Sequence, residues 1–339
     1  MLSVSVPGEE PEGIVSISGL VIRNGNNGDK LGGGVNIAAG HVTMDQVDIL
    51  NNQAKQGAGL LVTGAGMVVS MTNCSLRDNT ASSNGANYIY NGAQVSMDNC
   101  IIRGNKAAMG NAFMVFNSNV NNGLSTVLTL SNSEISGNEG GRGTIYLRGD
   151  AASNGNAKLQ AANCTFWGNT SSNGGSAIAV YGKDGHTATD KLYICTITDN
   201  TCTGGGGALR RSNNTYVWMY NTIVSGNTYA SDPSKADLVG TYHKFHSITG
   251  ATTFGEEDQV AVEDAPEFVA SSMLTQKTQE GKTTVFALSG SDNPAKTNGY
   301  SVAGLQRLDA SFDDADALLA KDQWGNARPD YMMGAYTGN

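Results

Sequence analysis

Residues 85–105 read GANYIYNGAQVSMDNCIIRGN. Three short β-rich stretches, NYIY, QVSMD and CIIR, each alternate with period two and are separated by Gly/Asn turns. No helical period runs between them. Strands of three to five residues make no stable hairpin by themselves. Stacked coils, however, pair such strands in parallel, with one wide sheet for each strand position.

The stretch closes on Ile102-Arg103-Gly104-Asn105: a β-type residue, two variable positions, then asparagine. The same closure stands at Ile49-Leu50-Asn51-Asn52, Leu76-Arg77-Asp78-Asn79, Ile135-Ser136-Gly137-Asn138, Phe166-Trp167-Gly168-Asn169, Ile197-Thr198-Asp199-Asn200 and Val224-Ser225-Gly226-Asn227. The closing asparagines are 27, 26, 33, 31, 31 and 27 residues apart. A repeat in that range marks a solenoid and outranks local signals. It predicts an all-β parallel β-helix of about eight recognisable coils over 1–227, with 228–339 as an irregular C-terminal capping region. That region is expected to add a strand or two and to cover the open end, where sheet edges would otherwise be bare. The 3-and-4 spacing of Leu305, Leu308, Phe312, Ala315, Leu318 and Leu319 predicts a helix within Val302–Lys321.

Coils stack about 4.8 Å apart, so inward positions form columns. One predicted column reads Met44, Met71, Met97, Leu130, Ala161, Ile194 and Met219; another reads Val42, Val69, Val95, Leu128, Leu159, Leu192 and Val217. The closing asparagines read as a further ladder, each accepting left-handed geometry at a tight bend and pairing its amide with those above and below. The sequon at Asn169-Thr170-Ser171 lies in that ladder and reads as structural. Cys74, Cys100, Cys164 and Cys195 share an inward column with Val47, Ser133 and Thr222, while Cys202 lies outside it. Five cysteines leave at least one thiol free, and parallel side chains are poor bridge geometry, so the reading is buried reduced thiols.

Composition narrows the function classes. The chain has 339 residues with 44 Gly and 6 Pro, so turns rest on unusual backbone angles rather than on proline. Its net charge of −9 disfavours non-specific nucleic-acid binding, which needs a basic footprint. No apolar run approaches the roughly 20 residues of a membrane span. Met1–Gly13 lacks the regions of a signal peptide, and Gly19-Leu20-Val21-Ile22 already reads as the end of a coil. Together they point to removed upstream sequence.

These repeats resemble the right-handed parallel β-helix units of polymorphic outer-membrane proteins, which carry GGA(I/L/V) and FxxN. Gly206-Gly207-Ala208-Leu209 and Phe166-Trp167-Gly168-Asn169 match, and Gly32-Gly33-Gly34-Val35 and Gly174-Gly175-Ser176-Ala177-Ile178 come near. Most other coils put Ile, Leu or Val in place of Phe. Ala236-Asp237-Leu238-Val239-Gly240, Asp264-Ala265-Pro266-Glu267-Phe268 and Asp322–Pro329 with Met333-Gly334-Ala335-Tyr336 resemble the C-terminal region of choice-of-anchor Q surface proteins. Thr337 stands where that pattern usually ends in Glu. The resemblance implies a right-handed helix and a bacterial exported or outer-membrane-associated surface protein, without a reaction.

Parallel β-helices of the pectin lyase-like kind place acidic residues on neighbouring coils. Here Asp45 and Asp98 share an outward column two coils apart, about 9–10 Å by strand spacing. His243 and His246 make an HxxH pair, too few ligands for a metal site. Gly204–Gly207 reads as a coil turn, because no helix or GK(S/T) follows. No catalytic residue, cofactor or metal is assigned.

Three outward features are candidates for binding. The column Arg23, Leu50, Arg77, Arg103, Ser136 and Trp167 puts two arginines side by side, calling for an acidic ligand between them or for local pairing to Asp78. Gln160, Tyr193 and Trp218 are read as one column, either a sugar-stacking platform or a surface under the C-terminal region. The long repeats place extra residues at one corner, Asn117–Ser125, Arg148–Ala157 and Tyr181–Asp190, so the insertions project side by side as a wall. It carries Arg148, Asp150, Lys183, Asp184 and His186, and reads as a binding rim, an inert variable edge or a catalytic site. The expected function is a non-enzymatic, adhesin-like or glycan-binding protein, extracellular or on the bacterial surface, with a polysaccharide or a host or bacterial surface glycan as partner. The alternative is a polysaccharide lyase or glycoside hydrolase, with Lys183 or His186 as base and Asp150 or Asp184 as acid or metal ligand.

Overall fold

The computed structural model describes residues 1–4, 14–38, 40–118, 123–150, 156–183, 188–212, 215–240, 242–250, 252–253, 273–301, 303–305, 309 and 319–337. It is a parallel β-solenoid of about eight turns. One coil shows the plan. Asn87–Tyr90 joins a ten-stranded sheet (sheet I), Gln94–Asp98 a nine-stranded one (sheet II) and Ile101–Arg103 a second nine-stranded one (sheet III). The two-residue strand Lys106–Ala107 then enters a seven-stranded sheet (sheet IV) before the next coil begins at Gly110. Sheet IV was not foreseen, because two residues carry no readable alternation.

Two left-handed residues frame each sheet III strand and set its corners. The first is an asparagine in most coils, such as Asn73, Asn99, Asn132, Asn163 and Asn221, with φ between 47° and 53°. The second is the residue before the closing asparagine: Asn51, Asp78, Gly104, Gly137, Gly168, Asp199 or Gly226. The closing asparagines themselves therefore do not make the bend, contrary to the sequence reading.

They do form the ladder. Asn52, Asn79, Asn105, Asn138, Asn169 and Asn200 are wholly buried. The side-chain oxygen of each of Asn79, Asn105, Asn138, Asn169, Asn200 and Asn227 accepts from the amide side chain one coil earlier at 2.8–3.1 Å. The backbone N–H of that earlier asparagine donates to the same oxygen. The second amide hydrogen goes to a main-chain carbonyl one coil further back, as from Asn79 to Ile49. Polar groups inside a core are tolerable only when satisfied in this way. The sequon asparagine, Asn169, is one of these buried rungs.

The hydrophobic columns line the interior, and one register differs from the reading. Ala161 pairs with Leu192 and then Met219, while Leu159 pairs with Asp190 and then Val217. Ile194 is not a core rung: it occupies the left-handed corner, φ 53°, where other coils use asparagine. The misreading moved the strand by two residues, which preserves the inward and outward faces and so leaves the alternation pattern intact. Asp190 thus sits at an inward position, wholly buried. All five cysteines are buried and free, and burial pushes the Cys164 thiol up.

The solenoid continues past Asn227. Leu238–Val239, His243–Phe245 and Ile248–Thr249 extend sheets I, II and III. The described C-terminal residues then run along the side of the solenoid and not over its end. Thr284 N donates to Glu134, Gln323 bonds Ser133 and Thr165, Arg328 bonds Asn163, and Tyr300 bonds Asn221. An antiparallel pair, Leu274–Lys277 with Val285–Leu288, belongs to this segment. Ala303–Leu305 and Leu319 are helical, and most of the predicted Val302–Lys321 helix lies outside the described residues. Among the described residues no helix is long and apolar enough to cross a membrane.

Candidate binding faces

The arginine column has the predicted register, Arg23, Leu50, Arg77, Arg103, Ser136, Trp167. Arg77 and Arg103 are each met by a carboxylate of the chain, and Asp78 is neither of these. Arg77 pairs with Asp48 at 3.4 Å across one coil, both side chains about 40% exposed, a weak pair. Arg103 pairs with Glu134, whose side chain is fully buried. Glu134 also accepts from Ser136 Oγ at 2.6 Å, Trp167 Nε1 at 3.2 Å and the Thr284 amide at 2.6 Å. Arg103 and Trp167 therefore join the solenoid to its C-terminal segment, and Trp167 packs edge-on to Phe286. A groove of about 330 Å³ opens beside Arg77, but Asp48 lines it too. The signal that was missed is the column Asp48, Ser75, Ile101, Glu134, Thr165 and Thr196, whose two carboxylates are the ones the arginines take.

Tyr193 and Trp218 are not in one column. Trp218 aligns with Gln160, Lys191 and His243, whereas Tyr193 aligns with Ala162 and Tyr220. Tyr193 is buried, stacked on Tyr220 at 4.9 Å, and its hydroxyl donates to Asp309. Leu305 and Leu319 of the C-terminal segment cover this patch, so Tyr193 offers no open platform. Trp218 stacks with Tyr216 and His243, while Lys191 beside it is held by Asp309. Burial and the Arg211 charge hold His243 below its ordinary pKa. His246 turns away at a left-handed corner and meets the Asn298 carbonyl, so the HxxH pair diverges.

Of the predicted loop wall, residues 119–122, 151–155 and 184–187 lie outside the described residues; its flanking positions lie at the ends of sheet I strands, on the outer face of that sheet. Tyr90, Phe116, Arg148 and Tyr181 are successive partners on four neighbouring strands, a run of about 14 Å. Tyr90 packs on Tyr88 at 5.3 Å and on Phe116 at 5.4 Å. The Arg148 guanidinium lies 5.1 Å from the Phe116 ring centre and 5.8 Å from that of Tyr181. Asp150 pairs with Arg148 and raises its pKa further. Lys183 is exposed, and its amide donates to the Gly149 carbonyl. Asp184 and His186 lie outside the described residues.

Beside this run is a groove of about 260 Å³ that the sequence reading missed. Arg142, Tyr146, Tyr181 and Arg210 stand around it, and Ala179 lines it between Tyr146 and Arg210. Among the described residues no carboxylate lines it. Among the described residues no group of three His, Cys, Asp or Glu is placed to hold a metal ion.

Fold and faces together define a parallel β-solenoid with an aromatic and cationic lateral face. Comparison with protein-family models, with curated proteins and with solved structures finds no match to this chain.

Proposed function

We propose that this protein is a non-enzymatic, adhesin-like glycan-binding protein, secreted or held at a bacterial surface, that takes its ligand on the outer face of sheet I. The observation that carries the reading is the aromatic run Tyr90–Phe116–Arg148–Tyr181 beside the Arg142–Arg210 groove. A sugar offers C–H faces that pack on rings and hydroxyls that bond guanidinium and amide groups. A rigid sheet holds such groups at fixed spacing, which limits the ordering cost of binding. The resemblance to surface-protein repeats, carried by Gly206–Leu209 and Phe166–Asn169, supports the location.

The test is affinity electrophoresis of the purified protein against plant, host and bacterial polysaccharides, with released oligosaccharides assayed in parallel. Retardation by at least one polymer, weakened about tenfold in Tyr181→Ala, is expected. Released oligosaccharides would replace the reading with a polysaccharide-active enzyme. No retardation by any polymer would end it.

A further inference from the structure

We infer that the groove between Arg142 and Arg210 seats a negatively charged group, a carboxylate or a sulfate, on a polysaccharide lying across sheet I. This rests on the glycan reading above and adds the charge of the ligand. The chain carries 30 acidic and 21 basic residues, yet among the described residues the groove is lined by Arg142, Arg210 and Arg211 and by no acid. Three arginines elsewhere have carboxylate partners, Asp48 for Arg77, Glu134 for Arg103 and Asp150 for Arg148, and the buried Arg328 is met by oxygens of Asn163 and Gly334. Like charges gathered without a partner oppose folding, so a cluster without one is suited to an anion from outside.

The geometry gives that anion room. Tyr146, Ala179 and Arg210 are successive partners on three strands, which places Tyr146 and Arg210 about 9–10 Å apart at the backbone. The Ala179 methyl between them leaves a notch one coil wide. Arg142 and Tyr146 both line the groove, and the Arg142 charge offsets part of the burial that raises the Tyr146 pKa. Arg210 is laid down by the glycine run: a Cβ on Gly205, itself at φ +90°, would fall 2.2 Å from the Arg210 Nη1. Arg211 donates to the Thr215 carbonyl through Nη1, and its buried Nε has no partner. Guanidinium forks match the paired oxygens of a carboxylate or sulfate. A net charge of −9 repels polyanions in general, so binding of one must come from a local site.

The experiment titrates the full chain with matched polymers: polygalacturonate against its methyl ester, dextran sulfate against dextran, and polyglutamate as an acidic peptide. Arg142→Gln/Arg210→Gln is the test variant, and Trp218→Ala on sheet II is the control for another face. Melting temperature is recorded for each. The expected result is binding of polygalacturonate or dextran sulfate at least tenfold tighter than its neutral counterpart. That preference should be lost in the double arginine variant and kept in Trp218→Ala. Equal binding of charged and neutral polymers overturns the inference and leaves the glycan reading standing. Failure to bind any polysaccharide ends both. Polyglutamate binding as tightly as the acidic polysaccharides overturns the saccharide assignment. So does a double variant that keeps its melting temperature and its preference.

Discussion

Asp237 accepts from Asn227 Nδ2 at 2.8 Å and from the Asn227 backbone amide at 3.3 Å, in the place where every earlier rung has the next asparagine. Donation in this ladder runs one way along the solenoid, from Asn52 towards Asn227. Its last member therefore has donors to satisfy and no following amide. A carboxylate, which only accepts, ends the series. Asp237→Ala leaves two buried donors unpaired and should cost about 2–4 kcal/mol. Asp237→Asn keeps an acceptor and should cost less. Urea unfolding of both measures the difference, and equal midpoints for wild type and Asp237→Ala would show that the ladder needs no terminal acceptor.

Asp190 carries the opposite signature. It is wholly buried, stands between Leu159 and Val217, and neither of its carboxyl oxygens has a hydrogen-bond partner. Burial raises its pKa well above the usual carboxylate range. Below the unfolded-state pKa of about 3.9, both states hold the proton and folding carries no ionisation penalty. Above it the unfolded chain releases the proton while the buried group keeps it. The folded state then binds more protons, and stability falls by about 1.4 kcal/mol per pH unit until the folded pKa is reached. Asp190→Val should therefore be more stable than wild type at pH 7, with the gap narrowing towards pH 4. Urea midpoints at pH 4, 5.5 and 7 decide it; a gap independent of pH would mean that Asp190 is not held neutral.

Much of this architecture was legible because its determinants recur. Columns such as Met44–Met71–Met97 and the closing asparagines repeat at every coil, and the arginine column kept its register through Trp167. Features that occur once were not legible. Asp190 was missed because Leu192 and Ile194 also alternate, and a slip of two residues costs nothing in pattern. Glu134 was missed because its partners come from Arg103 one coil away and from Thr284, 150 residues later. Repeat length alone placed Arg148 and Asp150 beside an insertion whose further residues, 151–155, lie outside the described residues. The Arg142–Arg210 groove did not, because neither residue is in an insertion and the notch exists only once Ala179 is aligned between Tyr146 and Arg210.

Glu134 ties the C-terminal segment to the solenoid, and its removal should be felt there first. Glu134→Ala strips acceptors from the Trp167 indole and the buried Thr284 amide, a loss of about 2–4 kcal/mol. Arg103→Gln should cost less, because the buried carboxylate keeps its bonds from Ser136, Trp167 and Thr284 and the glutamine amide is still a donor. Limited trypsin digestion reads this directly, since Lys277 and Lys282 are exposed in the antiparallel pair and its turn. Faster cleavage there in Glu134→Ala, and little change in Arg103→Gln, is expected. Equal rates in all three proteins would show that the segment is held without this carboxylate.

Gly205 and Gly206 separate backbone strain from the position of Arg210. Both have positive φ, +90° and +83°, so an alanine at either is strained by about 1–2 kcal/mol. Their surroundings differ. A Cβ on Gly206 faces the Tyr229 ring at 3.0 Å, away from the groove, whereas one on Gly205 drives into the Arg210 guanidinium. Gly205→Ala and Gly206→Ala should thus melt at similar, lowered temperatures. Affinity for an acidic polysaccharide should fall about tenfold in Gly205→Ala and stay near wild type in Gly206→Ala, because only the former displaces a charge-assisted contact. Equal affinities in two folded variants would mean that Arg210 binds no ligand from where it lies in this structure.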